Sequence, residues 1–145
     1  MKYLLLTFLS IFFLLSGKAQ AKVASYCFGK YGKEGYEHIS FWTKDWKRTH
    51  VEYSYGSKPK EIRLQFLGKV IVHGKTCMKV QFPNKYILFI TPNGSDLQIE
   101  DENRKYNKTF TWEYEGPVNG IGTYCTVCAE GKEDAMEIVK KSYLQ

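Results

Sequence analysis

The sequence is short of the residues and motifs from which active sites are usually built. There is no Gly-x-Ser-x-Gly elbow, no His-Glu-x-x-His pair and no phosphate loop, because the glycine-rich stretch Gly116-Pro117-Val118-Asn119-Gly120-Ile121-Gly122 is not followed by Lys and Ser or Thr. Only three histidines occur, His38, His50 and His73, each within a predicted strand. Pairing Tyr36 to Thr43 with Arg48 to Tyr55 across a Lys44 to Lys47 turn sets Phe41 opposite His50 and His38 opposite Tyr53. The first two histidines then face opposite sides and share neither a metal nor a proton. Glu100-Asp101-Glu102-Asn103 lacks the alternating ligand spacing of a calcium loop and reads as a solvated turn. No catalytic residue, metal ligand or cofactor is therefore assigned. At 145 residues without an internal repeat, the chain fits one domain and excludes a large multidomain enzyme.

Long apolar runs are also missing, except at the N-terminus. There Lys2, the apolar run Tyr3 to Ser16 and the small residues of Ala19-Gln20-Ala21 have the three-part layout of an export signal. The 14 residues of that run, at ~1.5 Å each, reach ~21 Å and fall short of a ~30 Å hydrocarbon core, so removal of residues 1–21 is expected rather than a membrane span. The expected product is a secreted or periplasmic domain of residues 22–145. Its charge is uneven: residues 22–90 carry 13 Lys and Arg against 5 Asp and Glu, whereas 91–145 carry 6 against 10. The lysines are spread singly rather than massed, and an exported chain rarely meets nucleic acid, so no nucleic-acid partner is expected.

What the chain does have is short runs rich in Val, Ile, Tyr, Phe, Trp and Thr, separated by Gly, Pro and Asn. The predicted strands are Tyr36 to Thr43, Arg48 to Tyr55, Glu61 to Leu67, Lys69 to His73, Thr76 to Phe82, Lys85 to Thr91, Asp96 to Glu100, Lys108 to Glu115 and Thr123 to Cys128. Hairpins are expected at Asn93-Gly94, Pro83-Asn84 and His73-Gly74. Alternation points Ile62, Leu64 and Phe66, then Met78, Val80 and Phe82, then Phe110, Trp112 and Tyr114 into one core. Ile87-Leu88-Phe89-Ile90 does not alternate and is expected to be covered on both faces. Glu133 to Leu144 places Ala135, Ile138, Val139 and Tyr143 on one helical stripe, with acids at its start and lysines at its end. Many short antiparallel strands must manage their edges, which predicts a mostly β fold: a small antiparallel barrel or strongly curled meander of about eight strands, with a C-terminal amphipathic helix docked on it. The architecture is similar to that of lipocalins and other calycins, though no Gly-x-Trp opens the first strand.

Four cysteines, Cys27, Cys77, Cys125 and Cys128, in an exported chain predict two disulfides. Thr126 and Val127 favour an extended backbone, in which positions three apart lie ~10 Å from each other, beyond the ~7 Å bridging limit. Cys125 and Cys128 are therefore expected to bond one to Cys27 and the other to Cys77.

Aromatics are plentiful: 19 of the 124 residues beyond position 21 are Phe, Tyr or Trp, and ten of those are Tyr. Tyrosine on this scale suits a protein-binding surface or a barrel that stacks on a ligand. The candidate surface is the turn Lys44-Asp45-Trp46-Lys47-Arg48, where a tryptophan occupies a polar position among three cations, a hot-spot composition suited to an acidic partner. The leading expectation is an exported binding protein of inhibitor or immunity type that recognises a partner protein through Trp46, Lys44, Lys47 and Arg48. A carrier enclosing a small apolar or aromatic ligand is the alternative, and a secreted enzyme comes third.

Overall fold

A computed structural model of the chain describes residues 20–113 and 127–145. Residues 1–19, where an export signal is expected, the glycine-rich stretch 116–122, Tyr114 and Cys125 lie outside the described residues. Eight antiparallel strands follow one another in sequence: β1 (Ala21–Phe28), β2 (Glu37–Lys44), β3 (Lys47–Tyr55), β4 (Ile62–Val72), β5 (Lys75–Gln81), β6 (Ile87–Asn93), β7 (Asp96–Glu100) and β8 (Asn107–Trp112). Each pairs with the next, and β8 returns to β1 through Tyr26↔Trp112 and Cys27↔Thr111, closing the barrel as the edge argument requires. The last segment is helix α1 (Lys132–Val139), continued by a π turn, Lys140–Leu144.

The period of two decides what lies inside. Ile39, Phe41, Val51, Met78, Val80, Ile90, Leu97, Ile99 and Phe110 have no accessible area at all. A void that admitted water would leave area on the side chains lining it, so the space these residues bound is packed. Ala135, Ile138, Val139 and Tyr143 belong to the same cluster, because α1 and the π turn lie across one end of the barrel, touching β1, β2, β3 and, on the far side, β5. Tyr143 meets the inward rings of Phe41 and Phe66 edge-on, with centroids 5.4 and 5.7 Å away.

The first strand, Ala21–Phe28, was not anticipated, since it begins at the expected cleavage site. Glu61 to Leu67 and Lys69 to His73 are one strand, β4, whose register shifts between Phe66 and Gly68, with Gly68 at φ +120°. The β6–β7 turn is Gly94-Ser95, flanked by Asn93↔Asp96, with the positive φ at Gly94. The β2–β3 turn is the two-residue Asp45-Trp46, flanked by Lys44↔Lys47, and Thr49 is an extra residue that shifts the ladder to Trp42↔His50 and His38↔Ser54. That bulge puts His38 and His50 on the same outer face. Ile87 and Phe89 are only half-buried, since the helix seals an end instead of covering β6.

Cys27 and Cys77 are free thiols, contrary to the expected bridges. Cys27 is on β1 and Cys77 on β5, four strands apart around an eight-stranded barrel and so on opposite walls. Cys128, which is disulfide-bonded, sits against Val23 of β1 in an isolated parallel bridge, where a link to Cys77 would have to cross the packed interior. The extended backbone assumed between Cys125 and Cys128 also fails at Val127, which lies in a turn.

Candidate functional site

The hairpin tip between β2 and β3 breaks two local rules at once. Its central residues, Asp45 and Trp46, have φ of 50° and 61°. This is the geometry of a tight type I′ turn, which favours Asn, Asp and Gly and in which a bulky aromatic is an outlier. Lys44 and Lys47 sit directly opposite each other, both exposed, although like charges across a strand pair repel. Trp46 is 44% exposed. It lies between two ammonium groups, Lys141 Nζ from the π turn at 4.6 Å and Lys22 Nζ from β1 at 5.4 Å from its centroid. Each ammonium has an acid of α1 behind it, Glu137 at 2.5 Å from Lys141 and Asp134 at 3.3 Å from Lys22. The tip is thus fastened to the helix that seals the barrel. Arg48, one residue on, lays its guanidinium 4.5 Å from the centre of Phe66 on β4.

The structure therefore brings Trp46, Lys44 and Lys47 together at the tip and turns Arg48 towards β4. Beside Arg48 is a cavity of about 300 Å³, lined by His50, Arg63, Phe66 and Tyr143 among others. On the other side of the helix, a depression of about 500 Å³ runs between Gly94-Ser95 and Met136, Glu137 and Lys140. Sequence reasoning missed Lys22, Lys141, Arg63 and Phe66, which reach the face from distant segments; no local signal marks them.

The far end of the barrel holds a second polar group. Glu37 lies inward on β2, almost fully buried, and its carboxylate accepts hydrogen bonds from Tyr53 OH at 2.6 Å and from Tyr106 OH, and pairs with the Lys108 ammonium. Burial and the bonds to Glu37 push both phenols far above their ordinary range. Each partner is consumed within the group, so its chemistry is that of a satisfied internal network. The parity of Glu37 with Ile39 and Phe41 was the signal for it.

On the outer wall, Cys27 stands beside Thr111 and Glu113, and burial, reinforced by the Glu113 carboxylate, pushes its thiol up to about 11. A thiol so held is the opposite of an activated nucleophile. His38 Nε2 lies 3.8 Å from Glu113, and Tyr36 OH donates to the same carboxylate at 2.7 Å. His50 stacks on Trp42, and both reach Glu52, at 3.1 and 3.0 Å. Among the described residues no group of three or more His, Cys, Asp and Glu is placed to hold a metal ion, and no helix is long and apolar enough to cross a membrane. His73 occupies the β4–β5 turn with a positive φ, away from both other histidines.

No protein-family model, curated protein or solved structure matches this chain.

Proposed function

We propose that this is an exported binding protein of inhibitor or immunity type, released by removal of residues 1–21, that recognises a partner protein through the basic and aromatic face formed by Trp46, Lys44, Lys47 and Arg48. The observation that carries the reading is the hairpin tip itself. A tryptophan at positive φ and a facing lysine pair each cost stability, and such costs collect where the surface does something other than fold. The tip is anchored to the helix through Lys22 and Lys141, so it meets a partner already ordered and loses little entropy on binding. Two flanking lysines and Arg48 steer an acidic surface, while the ring supplies the buried area of a hot spot. The packed interior favours this surface over a carrier, which needs several hundred Å³ of enclosed space.

The test is affinity capture from the native envelope or secretome with the mature domain and two variants. Wild-type protein is expected to retain a partner that Trp46→Ala and the double variant Lys44→Glu/Lys47→Glu both lose, with melting temperatures within a few degrees of wild type. Equal capture by all three would overturn the reading. A loss of ~3 kcal/mol of stability in Trp46→Ala would identify a packing residue instead.

A further inference from the structure

The barrel is closed in topology but not along its whole length. Strand β3 pairs with β4 only at Val51↔Leu64, Glu52↔Arg63 and Tyr53↔Ile62. From Gln65 to Val72, β4 pairs with β5 on one side, and on the other it has no strand partner among the described residues. The Lys47 to His50 stretch of β3 likewise has no β4 partner, and the cavity beside Arg48 opens where the two strands diverge. Two side chains reach into the gap without closing it. Arg48 spans it to stack on Phe66, and Tyr143 OH lies 2.7 Å from the His50 carbonyl oxygen. Along the free stretch of β4, Leu67 is 40% and Ile71 77% exposed. A long, apolar, unpaired edge is the template for an added strand.

We propose that β4 is the docking edge for an extended, acidic segment of the partner, which adds as a strand along Gln65–Val72. The occupant follows from charge. The open edge and its approaches carry Lys47, Arg48, Arg63 and Lys69 and no Asp or Glu between 62 and 73 or between 46 and 51, while Glu52, opposite Arg63, is engaged by Trp42 and His50. A second copy of the chain laid antiparallel on the same edge would bring these cations against their own kind, so an acidic strand is the complementary one. This inference rests on the proposed partner-binding function, and it names the mode and the chemistry of that contact.

The probe is a synthetic eight-residue peptide alternating Glu and Val, with its Lys and Val counterpart as control, added to the mature chain and followed by amide hydrogen exchange. Binding of the acidic peptide is expected to slow exchange along 65–72, and Lys69→Glu and Arg63→Glu are each expected to weaken it at least tenfold. Equal binding of the basic peptide, or no protection along 65–72, overturns the proposal. Concentration-dependent dimerisation of the free chain that protects the same amides also overturns it and makes a second copy the occupant. The two proposals fail separately: a captured partner that depends on Trp46 yet leaves 65–72 unprotected sinks the edge and keeps the surface. A partner that protects 65–72 and is indifferent to Trp46→Ala does the reverse.

Discussion

At the scale of single residues, the two free thiols differ in kind. Cys77 is fully buried, with its sulfur 3.0 Å from the Thr91 hydroxyl and 3.4 Å from the Lys75 carbonyl oxygen, and is a small packing group with both contacts satisfied. Cys27 is partly open to solvent but is held protonated, because burial and the neighbouring Glu113 charge both disfavour a thiolate. Alkylation rate follows the thiolate fraction, so the native protein should react slowly at pH 8 and faster by about tenfold per pH unit until pH approaches 11. In denaturant two thiols per chain should be titrated, not zero. Cys128 is bonded and neither Cys27 nor Cys77 is its partner, which peptide mapping under non-reducing conditions checks. Zero thiols would restore the two long-range bridges, and four would remove the disulfide. The cysteine pattern was thus legible only in part. Spacing and export argued for bridges in general, whereas the pairing depended on where β1 and β5 stand around the barrel and on a turn at Val127, which no local residue preference announces.

At the scale of elements, the strands were largely readable because each carries its own alternation and its own turn residues. His73-Gly74 is a two-residue turn with both φ positive, 49° and 75°, where the glycine pointed. What was not readable is where pairing slips. Thr49 adds one residue to β3 against the Trp42–Thr43 junction, and the hydroxyl of Tyr143, near the end of the chain, lies 2.6 Å from the carbonyl of Trp42 and 2.7 Å from that of His50, the cross-strand pair beside the slip. A bulge leaves ladder groups unpaired, and here the π turn at the far end of the chain supplies the donor. The register error that placed His38 and His50 on opposite faces came from that one residue. Tyr143→Phe removes the hydroxyl and keeps the ring against Phe41 and Phe66, so its effect isolates the bulge contact. The expected loss is about 1 to 2 kcal/mol in urea denaturation, the range for a buried carbonyl that loses its one donor, with the barrel itself intact. A change under a few tenths of a kcal/mol would mean that water replaces the hydroxyl at no cost.

At the scale of the whole molecule, the aromatic excess seen in the composition is divided between filling and edging the barrel. Tyr26 and Tyr143 are fully buried, and Tyr53 and Tyr106 close around Glu37 at the far end, whereas Tyr31, Tyr55 and Tyr86 are exposed. Burial raises the phenols of Tyr26, Tyr53, Tyr106 and Tyr143 beyond their ordinary range, and burial together with the Asp101 carboxylate pushes Tyr86 up to about 12. A phenol whose folded value lies above its unfolded one keeps its proton in the barrel after the unfolded chain has lost it. Its contribution is therefore complete below the unfolded value of ~10 and drains away as pH climbs past it. Each of Tyr26, Tyr53, Tyr106 and Tyr143 adds up to about 1.4 kcal/mol of lost stability per pH unit above that point, and they act together, whereas the exposed Tyr86 is screened by solvent and adds little. The unfolding free energy should be insensitive to phenol ionisation up to pH 10 and then fall steeply. Phenolate absorbance from the buried tyrosines should appear together with loss of the barrel's circular dichroism rather than ahead of it. Phenolates that form in full while the barrel persists would show that water reaches the rings, and the interior would then have to be open enough for the carrier that its packing disfavours.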